Sequence, residues 1–317
     1  MRPCSRCGKL SVIHVRYSGQ HLCARHFEDF FERRFAKEAR GPSKLRRGSK
    51  VAVAISGGKD SLVLLRLMRK RFHEKTGISL EAIIVDEGIK GYRAEGIRIA
   101  KRECMSLGIP LHVVTFKELF GTTIDEVAKL DPATIPCTYC GVFRRAALNR
   151  KAKEIGATIL ALGHNLDDVA GSIMMNYVRG DMERLARMGP HEKVQPGLVP
   201  RTLPLRLLPE EEVKLYSILE GMSVLERECP YAPRAQRGQF VKLLADLEDA
   251  SPGTRHAIVS GYEGLKKALL QNYPPRTLAT CPGCGEPAMG SRCKACEMAE
   301  ALSGGRKPSA RRYGRKR

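Results

Sequence analysis

Residues 51–61, VAVAISGGKDS, followed by Leu62-Val63-Leu64-Leu65, leave this part of the chain little choice of local fold. The apolar run, rich in β-branched Val and Ile, predicts a buried parallel strand. Ser56-Gly57-Gly58 then supplies a tight turn, where glycine tolerates the backbone angles and the close approach of a ligand. From Lys59 the apolar residues Leu62, Leu65, Met68 and Phe72 recur three and four apart, which predicts a helix. Strand, glycine turn and helix N-terminus together make an anion site, because unsatisfied N–H groups and the positive end of the helix dipole point to one place. The pattern GxxxxGK[ST] is absent, so transfer of a terminal phosphate is not the expected chemistry.

A chain of 317 residues has room for one main domain with small appendages. Its formal net charge of +21 points to a polyanionic partner. Nucleic acid is expected before membrane, because no apolar run approaches a membrane span. Met1-Arg2-Pro3-Cys4 leads into polar residues without the apolar core of a signal peptide, so a cytoplasmic location is expected. In that compartment eleven cysteines predict metal ligation rather than disulfides.

The cysteines fall into spaced groups. Cys4-x2-Cys7 and Cys23-x2-His26 suit a closed tetrahedral zinc site of Cys3His type, with His14 and His21 as competing ligands and a redox dithiol as the alternative. Cys281-x2-Cys284 and Cys293-x2-Cys296 form a zinc-ribbon pattern of four thiolates. Between them, Cys137-x2-Cys140 opens a predicted helix that carries Arg144 and Arg145. Thiols near a helix N-terminus and beside arginines are expected to have depressed pKa values, favouring thiolate chemistry or metal binding. Only Cys104 and Cys229 remain; Cys104 lies within a helix and reads as a buried structural thiol, whereas Cys229 lies in a loop before Pro230.

The expected domain boundaries follow from these modules: 1–40 for the first zinc finger and a linking helix, 44–272 for a nucleotide-binding domain, 275–300 for the ribbon and 301–317 for a disordered basic tail. The linking helix carries Phe27, Phe30, Phe31 and Phe35 on one stripe, with Arg33, Arg34 and Lys37 expected to face solvent or RNA. Predicted strands 80–86, 111–116 and 158–162 alternate with helices 92–107, 122–130 and 167–178, an α/β arrangement. Residues 179–208 read as irregular and basic, and Pro209 opens another helix. Asp86 lies at the carboxyl edge where such sheets bind ligands, as do Gly163, His164, Asp167 and Asp168 of GHNLDD. The paired aspartates suit Mg2+, or else complement the dipole of their own helix.

SGGKDS at 56–61, VDEGI at 85–89, CTYCGVFRR at 137–145, GHNLDD at 163–168 and ECPY at 228–231, between two zinc modules, run through nearly the whole chain. Together they resemble the tRNA 2-thiouridine synthetases of the PP-loop ATP pyrophosphatase superfamily, of archaeal and thermophilic-bacterial type. The resemblance implies an α/β fold with a doubly wound, adenine nucleotide α-hydrolase-like parallel sheet. It implies ATP on Ser56, Gly57, Gly58, Asp60, Ser61, Gly163, His164 and Asp168, with adenine near Ala54 and Asp86 and with Mg2+. Lys59 and Arg144 would stabilise charge as pyrophosphate leaves, and Lys59, Asp60 and Asp167 would be catalytic.

The resemblance further implies a [4Fe–4S] cluster on Cys137, Cys140 and Cys229, beside two Zn2+. Three protein ligands leave one iron open to sulfur. The implied reaction is adenylation of the C2 oxygen of a tRNA uridine, then replacement by sulfur from a ubiquitin-like thiocarboxylate carrier. The stretch 244–263, LADLEDASPGTRHAIVSGYE, resembles enzymes of the T-loop ribothymidine position more than the wobble-uridine group. The rivals are wobble-uridine thiolation, a persulfide relay on the same cysteines without iron, and a nonenzymatic tRNA-binding protein. The expected partners are tRNA and the carrier, with no membrane; a homodimer is compatible with the layout, on which the sequence itself is silent.

Overall fold

The computed structural model describes residues 2–41, 45–72, 77–190, 194–234 and 237–304. The expected basic tail beyond 304, Lys193 of the basic stretch 179–208, and residues 42–44 at the expected boundary before the nucleotide-binding domain lie outside the described residues. The chain begins with a hairpin, β1 (Ile13–Val15) and β2 (Gln20–Leu22), followed by α1 (Ala24–Arg40). The central unit runs β3 (Lys50–Ile55), α2 (Lys59–Phe72), β4 (Ser79–Asp86), α3 (Arg93–Leu107) and β5 (Leu111–Thr115). Then come α4 (Phe116–Phe120), α5 (Ile124–Leu130), α6 (Pro136–Glu154), β6 (Ile159–Ala161), α7 (Leu166–Val178), α8 (Met182–Ala186), β7 (Arg201–Thr202) and α9 (Glu210–Leu219). Two long helices, α10 (Arg237–Ala250) and α11 (Thr254–Asn272), precede a second hairpin, β8 (Ala279–Thr280) and β9 (Pro287–Ala288), and α12 (Lys294–Ser303).

The central sheet has the order β5-β4-β3-β6-β7 and is parallel throughout. After β5 the chain returns to the other side of β3, so the strand order reverses between β3 and β6. Ligands of open α/β sheets bind at the carboxyl ends of strands flanking such a reversal. The SGGKDS turn follows β3 and GHNLDD follows β6, so both meet at this crevice.

Successive side chains of a strand face opposite sides. Val51, Val53 and Ile55 of β3 and Leu80, Ala82 and Ile84 of β4 join one core with α1, α2, α3 and α9. Ala52, Ile83 and Val85 join a second core with α4, α5, α6 and α12. Helices thus cover both faces, the doubly wound arrangement. α10 and α11 pack on α7 and α8 in a third cluster around Leu166, Val169, Leu244 and Tyr262.

The appendages do not stand apart from these cores. Cys4, Val15, Leu22 and Cys23 of the N-terminal module belong to the same core as α2, and Phe27, Phe31 and Phe35 of α1 are fully buried in it. Phe30 packs against the core only partly buried. The C-terminal module joins the core under α6, and its buried Glu286 accepts from Asn149 (2.5 Å) and pairs with Lys153 (2.9 Å) of that helix.

Two local expectations differ from the fold. Arg34 does not face solvent: its guanidinium meets Glu212 at 2.6 Å and donates to the Leu207 carbonyl, because α9 packs against α1. Residues 179–208 contain α8 and β7, elements of five and two residues, too short for periodicity to reveal. Among the described residues no helix is long and apolar enough to cross a membrane.

Candidate active site

The phosphate loop is built by its own hydroxyls. Ser61 Oγ accepts from the Ser56 N–H (3.0 Å) and donates to the Gly58 carbonyl (2.9 Å). This closes the turn against the first turn of α2. Gly57 has φ +85°, and a Cβ there would lie 2.6 Å from the Gly96 backbone. Gly96, inside α3, would in turn place a Cβ 2.7 Å from the Ser56 carbonyl. Two glycines therefore let α3 touch the loop backbone to backbone. Gly163, after β6, similarly approaches Asp60 and Ser61, where a Cβ would meet backbone atoms at 3.1 Å.

The charged residues at the crevice are interlocked. Lys59 Nζ lies 2.5 Å from Glu210 and 3.1 Å from Asp60. Burial alone would lower its pKa, but Asp60 and Glu210 outweigh burial and raise it, so the ammonium stays charged. Asp60 accepts from Asn165 Nδ2 (2.9 Å); burial raises its pKa against the opposing effect of Lys59. Asn165 is the N-cap of α7, forming a capping box with Asp168.

Asp167 is buried, accepts from the Glu210 N–H (2.8 Å) and pairs with Arg255 (2.9 Å). Its carboxylate thus holds α9 and α11 to the crevice, and of the expected Mg2+ pair Asp168 is the half-buried member. Ala54 and Asp86 lie half-buried on β3 and at the end of β4, and His164 lies on the loop after β6. Asp86 Oδ1 accepts from the Gly88 N–H (2.8 Å).

Cys137, Cys140 and Cys229 gather beside this crevice, all half-buried, at the N-terminus of α6 and on the 225–232 segment. Cys137 Sγ lies 3.6 Å from the Tyr231 carbonyl, and Cys140 Sγ 3.4 Å from Arg144 Nη2. The segment bearing Cys229 is fixed at both ends: Leu225 N–H donates to the Gly57 carbonyl (2.8 Å), and the Tyr231 hydroxyl donates to Asp125 (2.8 Å). Cys140 departs from the expected depressed pKa. Burial pushes it up to about 11, opposed by Arg144, whose guanidinium is paired with Glu87 at 2.7 Å. Thiol donors suit soft metals and iron–sulfur groups.

Among the described residues, two groups bring ligand atoms within 4.8 Å of one another: Cys4, Cys7, Cys23 and His26, and Cys281, Cys284, Cys293 and Cys296. In the first, Cys4 Sγ and Cys23 Sγ lie 3.4 and 3.5 Å from His26 Nδ1, and Cys7 Sγ lies 3.8 Å from Cys23 Sγ. A tetrahedron with zinc–sulfur bonds of about 2.3 Å has edges of about 3.8 Å, so the group has the size of a zinc site. His14 and His21 stack on each other at 4.1 Å and leave the fourth position to His26. In the second group, backbone N–H groups led by that of Cys293 draw Cys281 down to about 6, a thiolate suited to zinc.

Sequence reasoning missed Glu87, Arg93, Gly96, Asn165, Glu210 and Arg255. Asn165 was detectable as the start of N-x-x-D before an apolar helix, and Gly96 as a glycine within a helical pattern. For Arg93 and Arg255, whose partners lie far along the chain, the sequence carries no signal.

Two family models match: the PP-loop domain over residues 24–223, and the N-terminal LIM domain of the 2-thiouridine synthetase TtuA over residues 4–28. A tRNA 2-thiolation protein, NcsA, from Haloferax volcanii is 37% identical, with 94% of this chain and 98% of the relative covered. The chain belongs to the tRNA 2-thiouridine synthetases of the PP-loop superfamily. Within the family, a tRNA-5-methyluridine(54) 2-sulfurtransferase from Pyrococcus horikoshii is 33% identical, with 93% of each chain covered. The solved structure of the U34-tRNA thiolase NcsA from Methanococcus maripaludis with its [4Fe–4S] cluster is 38% identical. It covers 93% of this synthetase and 96% of its own chain at a TM-score of 0.81, so the doubly wound sheet is shared.

Proposed function

We propose that this synthetase uses ATP to replace the C2 oxygen of a tRNA uridine with sulfur, and that its target is the 5-methyluridine at position 54. The observation that carries the reading is the meeting of three half-buried thiols with the SGGKDS loop, bridged by the Leu225–Gly57 hydrogen bond. A tRNA-binding module needs neither feature. The T-loop target is supported by the Pyrococcus horikoshii relative and by stretch 244–263, whose Arg255 reaches the crevice through Asp167. Wobble uridine is the second reading, favoured by the U34-tRNA thiolase at 38% identity.

ATP phosphates would lie on the N–H groups of Gly57, Gly58 and the first turn of α2. Lys59 and Arg144 would face the charge that builds as the uridine oxygen attacks the α-phosphorus and pyrophosphate departs. Asp60 and Asp168 offer the hard oxygens that Mg2+ takes. Adenylation turns a poor leaving group into a good one: the C2–O bond then breaks, AMP departs with that oxygen, and a C2–S bond forms. A [4Fe–4S] cluster on Cys137, Cys140 and Cys229 would supply an iron position open to sulfur. A ubiquitin-like protein ending in a thiocarboxylate would deliver the sulfur. The uridine has to leave its stack to reach the loop, and the surplus positive charge of the chain would hold the tRNA backbone.

The test is anaerobic purification, metal analysis and nucleoside mass spectrometry of tRNA incubated with ATP and a sulfur source. About four irons and four sulfides beside about two zincs per chain, with 2-thio-5-methyluridine formed, is the expected result. Thiolation of wobble uridine instead would move the target, and zinc without iron after reconstitution would leave the persulfide relay.

A further inference from the structure

The nucleotide loop and the cysteine site are joined by a second path, made of charges. Glu87, just past β4, is 1% exposed and lies between two arginines. One carboxylate oxygen accepts from Arg144 Nη2 (2.7 Å) and Nε (3.1 Å); the other is ion-paired with Arg93 Nε. Arg93, 3% exposed, donates from Nη1 to the Ser56 carbonyl (2.9 Å) in the phosphate loop. Arg144 Nη2 also reaches Cys140 Sγ (3.4 Å), while its side chain stays 47% exposed and opens onto the site. Glu87 cannot drift. Its carbonyl accepts from the Ile124 N–H (2.8 Å), and Gly88 at φ +68° sits so close to Thr123 that a Cβ would clash at 2.4 Å.

One carboxylate shared by two guanidiniums leaves one positive charge uncompensated. Because Glu87 and Arg93 are buried, that surplus is presented by Arg144 toward the thiols and the crevice. We propose that Glu87 is a positioning residue that couples the two sites by dividing its carboxylate between Arg93 and Arg144. When anionic thiolates at the cysteine site draw Arg144 toward them, Glu87 pairs more fully with Arg93. Arg93, which already donates to the Ser56 carbonyl, is thereby fixed more firmly, and with it the glycine turn that receives phosphates. Loading the cysteine site therefore tightens nucleotide binding, and by linkage nucleotide tightens retention of the metal group. This inference rests on the thiolation reading for what occupies the cysteines, but its test does not measure thiolation.

The experiment is calorimetric titration of the anaerobic, full-length protein with a nonhydrolysable ATP analogue, before and after iron–sulfur reconstitution. The unaltered protein should bind at least about fivefold more tightly once loaded, the lower end of ordinary coupling between sites. Glu87→Gln should bring the ratio below about twofold. Because removing the shared carboxylate leaves two arginines without a counter-charge, Arg93→Gln serves as the second variant. It keeps the Glu87–Arg144 pair balanced, removes the hold on Ser56, and should abolish the coupling equally. A ratio of one or below in the unaltered protein, or an undiminished ratio in either folded variant, overturns the proposal. Failure of the reading itself would look different: no iron incorporated, or iron incorporated and no thiolated nucleoside formed.

Discussion

At the scale of single residues, Lys59 is held between two carboxylates, and the two serve different ends. Glu210 is partly exposed, and a pair so placed is worth about 1 kcal/mol or less. Glu210→Gln should therefore change the affinity for ATP less than about fivefold. Lys59→Met should lower single-turnover thiolation at least about a hundredfold, the usual consequence of deleting a group aimed at developing charge. Cys104 gives a cleaner contrast. It is 2% exposed, and burial pushes its pKa up to about 12, so it stays a neutral thiol at neutral pH. Iodoacetamide should leave Cys104 unmodified in the native, metal-loaded protein at pH 8 and label it once the chain is denatured. Its fate could be read in advance, because a cysteine on the apolar stripe of a helix has nowhere to go but the core. The Cys140 thiol could not be read so well. The sequence places arginines beside it, but only the fold buries it, and burial raises its pKa against the pull of Arg144.

At the scale of elements, the contact of α3 with the phosphate loop depends on two hydrogen atoms standing where methyl groups would collide. Gly96→Ala should push α3 off Ser56, destabilise the protein by about 1–3 kcal/mol and weaken ATP binding, as thermal melts with and without nucleotide would reveal. Gly57→Ala adds the strain of φ +85° and should be the more damaging of the two. Strand, turn and helix were legible here because one motif carries all three signals within a dozen residues. The same holds for β4, β5 and β6, whose apolar runs are bounded by clear turns. β7 was not legible: two residues beside β6 are recruited by the open edge of the sheet, not by their own propensity. Likewise the sequence offered Asp167 and Asp168 as a pair, for Mg2+ or for the end of their own helix, and only the fold shows the other partners of each. One ties α9 to α11 and the other closes the cap of its own helix.

At the scale of the molecule, both cysteine modules were legible from spacing, but their union with the central cores was not. That union depends on which apolar faces meet. Loss of the first site should therefore not unfold a detachable finger. Cys23→Ala should lower the melting temperature of the whole domain in a single transition, because Cys4, Cys23 and the phenylalanines of α1 share a core with α2 and β3. Loss of the second should be felt through α6. Cys293→Ala should reduce iron retained per chain while leaving Cys137, Cys140 and Cys229 intact, as metal analysis after anaerobic reconstitution would register.

Glu286 makes the reason concrete. It belongs to the C-terminal hairpin, yet it grips Asn149 and Lys153 on the helix whose first turn carries two of the three thiols. Maturation would then have a built-in sequence. If the two sites hold zinc and the cluster as proposed, zinc would have to fold the C-terminal module before α6 is steady enough to receive iron. A cell starved of zinc would accumulate iron-poor enzyme and under-thiolated tRNA even with iron in excess, so the sulfur content of its tRNA would report on the supply of two metals at once.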